Sequence, residues 1–390
     1  MLFTTPQLTE KELQVLQRIE DYKRQLSYTI TQSLRWTGLL RRSTFARCIQ
    51  GSNSIEGYNV SVEDAIAAVE GEMPLEAEEE AWMAVTGYRD AMTYVLQLAT
   101  DPHFTYSASL IKSLHFMMLR HDLTKHPGTW RPGTIFVRND LKGEIVYEGP
   151  DVNNVPSLID EMVTSLNKDN SDVHVIVRAA MGHLNLVMIH PFSDGNGRMA
   201  RCLQSLILAR EGILAAPFSS IEEYLGRNTP AYYDVLGIVG GGSWHPERDA
   251  TPWVRFTLMA HFRQAETLLR RMKEIGLVWN ALENKLAQQG LPDRAIFALS
   301  DAAFGYRIRN STYRKVAEIS ENLASHDLKA LVEAGYLIPE GERRGRCYAA
   351  SPLLKQMRTG FRVPRSEEDP FADTTVPISS TNERQPLLPL

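Results

Sequence analysis

The chain has 390 residues, of which 43% are hydrophobic and 23% are charged, and its formal net charge is −5. This composition is typical of a globular protein, the length predicts two or three domains, and the acidic balance gives no general reason to expect nucleic acid or an anionic membrane. No apolar run is long enough to span a bilayer, and the first residues lack the pattern of a signal peptide. Because the three cysteines have neither metal nor disulfide spacing, we predict a reduced, cytoplasmic protein without a membrane partner.

The predicted elements are mainly helical. Residues 1–75 form a first helical segment, in which Leu13, Leu16 and Ile19 share an apolar face. The residues from Ser61 onward are typical of a capped helix start. Residues 76–265 form the predicted core domain, with helical patterns at 79–99, 107–119, 155–166 and 251–276, and with a single β-hairpin at 134–146.

Two of the predicted helices flank one short loop. The apolar repeat over residues 173–189 predicts a helix that ends at His190, because Pro191 lacks an N–H and disfavours the α conformation before it. Apolar residues from Met199 onward recur at helical intervals, which predicts a second helix from about residue 196. The loop therefore presents backbone N–H groups at a helix start, where anions bind.

The side chains of this loop suit the chemistry of a nucleotide phosphate chain. His190 can take a proton from an attacking hydroxyl at neutral pH, since the ordinary pKa of histidine is about 6.5. Asp194 can hold Mg²⁺, which proteins usually bind through one or two carboxylates beside substrate phosphates. Gly195 and Gly197 let phosphate oxygens approach the backbone.

Two arginines complete the loop, and each residue of the set also has an ordinary structural interpretation. Arg198 and Arg201 lie three residues apart, so they share a helix face and can grip a polyphosphate. Taken singly, the histidine is typical of a helix cap, the Asp-Gly pair of a turn and the arginines of a solvated face. Their combination favours the functional interpretation, because no single turn type requires all of them.

The run from His190 to Arg201 resembles the signature of the Fic-domain family, His-Pro-Phe-x-Asp/Glu-Gly-Asn-Gly/Lys-Arg-x-x-Arg. The similarity covers roughly residues 40–265 and implies a mainly α Fic-fold helical core with a β-hairpin flap that aligns a target segment. The implied flap residues are Ile135, Phe136 and Val137, and the implied base-pocket residues are Asn228, Tyr232 and Tyr233.

The resemblance implies a protein adenylyltransferase, an enzyme that moves AMP from ATP to a hydroxyl of a target protein. His190 would be the base, and Asp194 would hold Mg²⁺. Kinase-like relatives carry lysine where this chain has Gly197, which disfavours phosphoryl transfer. The residues implied to bind ATP are Gly195, Asn196 and Gly197 at the α- and β-phosphates, Arg198 at the β/γ end and Arg201 at the γ-phosphate.

A second stretch, from Ser52 to Gly57, resembles the family's inhibitory pattern Ser/Thr-x-x-x-Glu-Gly/Asn. By that resemblance Glu56 pairs with Arg201 and takes the guanidinium fork that the γ-phosphate needs. The structural alternative is that Gly57 only ends a helix, and both interpretations can hold. In some relatives the equivalent glutamate supports removal of AMP, a direction that the sequence does not separate from addition.

The chain beyond the core is predicted to contain three further parts. Residues 266–290 are predicted to be a helical linker, and residues 291–352 resemble a small α+β winged helix-turn-helix domain. Residues 353–390 are predicted to be a disordered tail. The predicted wing carries Arg343, Arg344 and Arg346, which makes DNA a candidate partner. Acidic residues along the same helices count against DNA, and such domains also serve as protein-docking or dimerisation modules, so both alternatives stay open.

Two classes of function follow from this pattern. The leading hypothesis is an adenylyltransferase that acts on a target protein; the rival is a DNA-binding regulator whose core only senses a nucleotide. His190 and Asp194 favour the enzyme, because binding alone does not require a base. Relatives often dimerise through the core, which makes a second copy of the chain a candidate partner, although the sequence does not determine the oligomeric state.

Overall fold

The computed structural model describes residues 1–372 apart from 33, 140–143, 169–171, 213 and 343–345. Over these residues the chain is mainly α-helical and contains two antiparallel sheets of two strands each, which confirms the predicted mainly α class. None of the helices in this part of the chain combines the length and the apolar character that crossing a membrane requires.

The N-terminal helices that start near Thr9 and Ser61 begin at local capping residues. The N–H of Thr9 donates to the Glu12 carboxylate at 2.7 Å, and the predicted start at Ser61 is confirmed, since its Oγ accepts from the N–H of Asp64 at 3.0 Å. The helices are α1 (Glu10–Thr31), α2 (Thr37–Ile55), α3 (Val62–Glu70), α4 (Glu79–Leu98) and α5 (Ala108–Leu119).

The predicted hairpin is present and is fixed to the core along its second strand. Strand β1 (Phe136–Asn139) pairs antiparallel with β2 (Glu144–Glu148), and the turn predicted around residues 139 and 140 falls largely outside the described residues. The Tyr147 hydroxyl donates to the carbonyl of Met188 at 2.7 Å. The N–H of Glu148 donates to the carbonyl of Gly242 at 3.0 Å, so β2 faces the core and β1 forms the outer edge.

The centre of the core consists of two helices that are buried along most of their length. These are α7 (Val175–Ile189) and α8 (Asn196–Glu211), and they confirm the helices predicted on either side of the loop. The short helices between residues 216 and 240 have no predicted counterpart, because few turns give no clear hydrophobic repeat. The remaining core helices are α6 (Val155–Asn167), α9 (Ala216–Ser219), α10 (Glu222–Arg227), α11 (Thr229–Gly240) and α12 (Thr251–Gln289).

Residues 266–290, predicted to be a linker, continue α12, a single helix of 39 residues. The second half of α12 buries Leu268 and Leu282 in a separate apolar core that also contains Leu40 of α2. The boundary predicted after residue 265 therefore falls inside one helix, and the chain beyond it shares a core with the N-terminal helices.

The C-terminal unit follows α12 and is built from short helices and one hairpin. Its elements are α13 (Ile296–Ala303), α14 (Asn310–Ala317), α15 (Glu321–Glu333), β3 (Leu337–Glu340), β4 (Cys347–Ala350) and α16 (Pro352–Thr359). In the hairpin Leu337 lies opposite Ala350. Charged contacts hold the unit against the end of α3: Glu72 lies 3.3 Å from the Arg309 guanidinium and accepts from the Thr312 hydroxyl at 2.8 Å.

The predicted disordered tail begins too early. Residues Pro352–Thr359 form α16, whose Leu354 is fully buried in the second core. The chain then continues along α12, where the N–H of Val363 donates to the Glu274 carboxylate at 3.0 Å. Apolar side chains within a proline-rich stretch explain the order of residues 353–372, and residues 373–390 lie outside the described part of the chain.

Helix α2 is held in place by close backbone contact with α10. A Cβ added to Gly51 would lie 2.5 Å from the carbonyl oxygen of Glu222, and one added to Gly226 would lie 2.8 Å from the Cα of Gly51. Because backbone meets backbone at this point, only glycine fits at both positions. The contact fixes the position of the C-terminal end of α2, which faces the start of α8.

Candidate active site

The loop between α7 and α8 has a backbone shaped by two left-handed residues. His190 follows α7 with φ 50° and ψ 58°, and its N–H donates to the carbonyl of Leu186 at 3.1 Å. Gly195 precedes α8 with φ 73°. The left-handed backbone conformation is uncommon for histidine, so surrounding contacts must maintain it at His190.

Asn196 closes the loop from inside. Its Oδ1 accepts from the N–H of Phe192 at 2.9 Å, and its Nδ2 donates to the carbonyl of the same residue at 2.9 Å. The side chain predicted to cradle a phosphate is therefore committed to loop structure. For a ligand, Asn196 offers its backbone at the start of α8.

His115 of α5 supports the loop, and the sequence motif gives no sign of this role. Its ring stacks on Phe192 with centroids 3.6 Å apart. Its Nδ1 accepts from the N–H of Gly128 at 2.8 Å, so Nε2 carries the proton and donates to the carbonyl of Asp194 at 2.9 Å. Burial lowers the pKa of His115 to about 4, which keeps the ring neutral.

Arg131 is a second supporting residue, and it joins the loop to the base of the hairpin. Its buried guanidinium donates to the carbonyl of His190 at 2.9 Å and to the carbonyls of Gly133 and Pro150 at 2.5 Å each. Its backbone N–H also donates to the carbonyl of Pro191 at 2.9 Å. These bonds hold the left-handed turn at His190.

The His190 ring is oriented for proton acceptance. Its Nδ1 lies 3.0 Å from the carbonyl of Val187. Because a carbonyl oxygen only accepts, Nδ1 carries the proton and Nε2 keeps its lone pair. Burial lowers the pKa of His190 below its ordinary value, so the ring is a neutral base at physiological pH.

Asp194 is surrounded by donors. Its Oδ2 lies 2.8 Å from Nζ of Lys125 and 3.9 Å from Nη2 of Arg198, and its Oδ1 accepts from the N–H of Gly195 at 2.6 Å. Burial alone would raise the pKa of Asp194, but the hydrogen bond from Lys125 and the charge of Arg198 outweigh it and lower the pKa. The carboxylate is therefore ionised and attracts cations.

Asp194 fits the donor set that Mg²⁺ uses beside a nucleotide. No cluster of three or more histidine, cysteine, aspartate or glutamate side chains suited to a metal occurs in the described part of the chain. A single ionised carboxylate suits Mg²⁺, which takes most of its other ligands from phosphates and water. It would not suit a metal that needs an all-protein set of ligands.

The two arginines nearest the start of α8 are buried, contrary to a solvated helix face. Arg198 and Arg201 are each 1% exposed. Within the described residues, Nε and Nη1 of Arg198 and Nη1 of Arg201 have no hydrogen-bond partner. Buried guanidinium groups with unused donors at a helix start form a binding site for an anion.

Arg201 contacts the end of α2. Its Nη2 lies 2.6 Å from Oε1 of Glu56, and its Nε and Nη2 donate to Oγ and the carbonyl of Ser52 at 2.8 and 2.9 Å. Gly57 follows with φ 85°, as expected for a residue that ends a helix. Both interpretations of the Ser52–Gly57 stretch thus have a structural counterpart.

The residues predicted to form a base pocket occupy different environments. Tyr232 is buried, and its hydroxyl lies 3.0 Å from Nε2 of His183 in the core, so it does not offer a surface to a ligand. Asn228 donates from Nδ2 to the carbonyl of Tyr224 at 2.8 Å. Tyr233 is 46% exposed, with its hydroxyl 3.4 Å from the carbonyl of Ile55.

The predicted flap residues lie at the start of the hairpin. The carbonyl of Ile135 accepts from the N–H of Gly149 at 3.2 Å, which closes the base of the hairpin. Phe136 is 44% exposed, whereas Val137 packs against the core. In the described part of the hairpin β1 pairs only with β2, so its other edge has no strand partner.

The chain is similar to known proteins in sequence and in fold. Residues 105–208 match the Fic/DOC family. The chain is 26% identical over 270 residues to the protein adenylyltransferase Fic of Nematostella vectensis, covering 68% of this chain and 58% of that protein. It is 26% identical over 229 residues to the protein adenylyltransferase fic-1 of Caenorhabditis elegans, covering 57% of this chain and 43% of that one.

Among solved structures, a Fic family protein from Desulfovibrio desulfuricans matches with a TM-score of 0.57 at 21% identity, covering 89% of this chain and 98% of that chain. Fic-1 of Caenorhabditis elegans matches with a TM-score of 0.52 at 23% identity, covering 67% and 73%. The helical core therefore has the Fic fold. The chain spans about half the length of the curated relatives that it matches.

Proposed function

We propose that this Fic-domain chain is a protein adenylyltransferase that transfers AMP from ATP to a hydroxyl of a target protein, with His190 as the base. The buried arginines of α8 carry the proposal. Three of their guanidinium nitrogens have no partner among the described residues, although burying an unsatisfied charged donor is costly. A polyphosphate at the start of α8 would satisfy them.

The transfer step uses groups whose geometry is already set. The target hydroxyl oxygen would attack the α-phosphorus while its proton passes to Nε2 of His190. The bond from the α-phosphorus to the bridging oxygen would break, and pyrophosphate would leave along Arg198. Mg²⁺ held by Asp194 would supply charge neutralisation for the leaving pyrophosphate.

The resting protein is proposed to be inhibited by Glu56. The carboxylate lies 2.6 Å from the arginine that the γ-phosphate would use, and it adds negative charge to an anion site. Gly197 leaves room for this carboxylate, since a Cβ there would lie 2.4 Å from Oε1 of Glu56. A lysine side chain at this position is incompatible with the observed place of Glu56.

The C-terminal unit is proposed to be a winged helix-turn-helix domain, since α13 to α15 precede one antiparallel hairpin. Arg343 and Arg344 of the predicted wing lie outside the described residues. Arg309 already binds Glu72, and Glu333 lies 3.7 Å from Lys329 on the exposed face of α15. These pairs favour docking onto protein over binding DNA, and the homodimer and the cytoplasmic location stay predictions.

The proposal is tested with ATP labelled on either the α- or the γ-phosphate, in Mg²⁺, with a cell extract as the source of target. Wild type is compared with Glu56→Gly, with Glu56→Gly/His190→Ala and with Glu78→Gly, which removes an exposed carboxylate. We expect protein labelling from the α-phosphate alone, raised by Glu56→Gly, unchanged by Glu78→Gly and abolished by the added His190→Ala.

Other results would contradict the proposal in distinct ways. Label from the γ-phosphate would indicate a kinase. No label from either position, together with a salt-sensitive shift of DNA, would favour the nucleotide-sensing regulator. Loss of AMP from a previously labelled target, faster with wild type than with Glu56→Gly, would indicate AMP removal as the main activity.

A further inference from the structure

Lys125 lies at the centre of the site, although no motif marks it. It ends a short 3-10 turn (Leu123–Lys125) between α5 and the hairpin. Its Nζ lies 2.8 Å from Oδ2 of Asp194 and donates to the Tyr58 hydroxyl at 3.0 Å. The lysine thus engages the same carboxylate that a divalent metal would need.

We propose, on the basis of the function proposed above, that Lys125 is a resident cation of the nucleotide site: it competes with Mg²⁺ for Asp194 and binds the phosphates of ATP when the metal is absent. The ammonium group of Lys125 and Mg²⁺ can both neutralise negative charge. Each neutralises a carboxylate and nearby phosphate oxygens, but the ammonium group is tethered to the chain and is always present.

The pair is placed where it can be exchanged. The side chains of Lys125 and Asp194 are 27% and 36% exposed, so solvent and ligands reach them. Because both groups are partly solvated, water can hydrate each of them when the pair separates. Asp194 keeps the N–H of Gly195 as a donor, and Nη2 of Arg198 lies 3.9 Å away, so the carboxylate stays oriented when Lys125 leaves.

Tyr58 connects this cation to the inhibitory segment. It follows Gly57 directly, its hydroxyl accepts from Lys125, and its ring lies 5.0 Å from the Arg198 guanidinium carbon. The residue that holds Lys125 is therefore two positions from Glu56. A movement of this segment changes the environment of Lys125 and Arg198 together. The metal position is therefore coupled to the inhibition by Glu56.

The test is the affinity for ATP with and without metal, measured by calorimetry on the full chain carrying Glu56→Gly. Kd is determined in excess Mg²⁺ and in EDTA for the background, Lys125→Met, Lys125→Arg and Lys112→Met. Lys112 is the matched control, because its ammonium lies 4.5 Å from the Trp130 ring centroid instead of binding Asp194. Mn²⁺ bound in the presence of ADP is followed by electron paramagnetic resonance as a second measurement.

Lys125→Met is expected to tighten ATP binding in Mg²⁺ and to weaken it in EDTA. The ratio of the Kd in EDTA to the Kd in Mg²⁺ should therefore rise about tenfold. It should also tighten Mn²⁺ binding. Lys125→Arg should restore binding in EDTA, and Lys112→Met should leave the ratio unchanged. ATP binding with an unchanged ratio in Lys125→Met would overturn the role of Lys125 alone, whereas no ATP binding in any variant would overturn the proposed function as well.

Discussion

Gly197 and Glu56 adjoin so closely that a side chain at position 197 would displace the Glu56 carboxylate from its observed place on Arg201. A Cβ on Gly197 would lie 2.4 Å from Oε1 of Glu56 and 3.0 Å from Nη1 of Arg201. Glycine at this position therefore leaves room for the contact between Glu56 and Arg201. The requirement disappears when Glu56 is removed.

This relationship predicts a coupling between the two positions. Gly197→Ala should destabilise the wild type because Glu56 must move off Arg201. In the Glu56→Gly background it should be neutral or stabilising, since alanine favours a helix over glycine by about 1 kcal/mol. Urea unfolding of the four proteins in the cycle measures the coupling, expected at about 1 kcal/mol. Equal effects in both backgrounds would contradict it.

Ser52 is expected to stabilise the folded protein through its hydrogen bond with Arg201. Ser52→Ala removes the Oγ that accepts from Nε of a nearly inaccessible guanidinium, and leaving such a donor unsatisfied costs about 1–3 kcal/mol. Ser54→Ala is the control on the same helix, since Ser54 bonds the carbonyl of Gly51 instead. Its effect on the free energy of unfolding should stay within about 0.5 kcal/mol; similar losses in both variants would rule out this role.

The pH dependence of transfer should reflect His190. Burial lowers its pKa below the ordinary value of 6.5, so the base is neutral above that pH and becomes protonated only in more acid solution. The kcat/KM of Glu56→Gly is therefore expected to be flat near pH 7–8, as for a base that is already neutral, and to fall below about pH 6.5. An acid limb centred above pH 6.5 would be incompatible with the assignment.

His115 should make folding sensitive to acid. Its pKa is about 4 in the folded chain and about 6.5 when unfolded, so the unfolded chain binds the proton first as pH falls. The resulting loss of stability develops between about pH 6.5 and pH 4 and amounts to about 3 kcal/mol. In urea unfolding across this range, His115→Gln should lose less stability than wild type, whereas exposed His103→Gln should match wild type. Parallel curves for wild type and His115→Gln would refute the prediction.

The loop could be predicted because its information is local. His190, Asp194 and the two arginines lie within a dozen residues, and Pro191 fixes where α7 ends. The contact of Glu56 with Arg201 joins positions far apart in the chain, and only the family resemblance brings them together in advance. Local chemistry and the family pattern therefore predict the loop between α7 and α8 and its contact with Glu56.

The supporting residues could not be found in this way. His115, Lys125 and Arg131 reach the loop from α5 and the segment before the hairpin, and their roles depend on tertiary packing. Tyr232, which the family resemblance assigns to a base pocket, lies with its side chain in the core beside His183, and the assignment stays a prediction. The residue type indicates what a side chain can do, and packing decides whether a ligand reaches it.

The backbone contact between Gly51 and Gly226 has a consequence for the speed of activation. Helix α2 cannot slide or roll without a clash against α10, so Arg201 is freed by rotation of the Glu56 side chain or by fraying of the last turn of α2. Such motions take nanoseconds to microseconds, far less than the rearrangement of packed helices. We therefore expect inhibition to act as a rapid pre-equilibrium that lowers the apparent association rate of ATP, with no slow, ATP-independent activation phase in stopped-flow traces.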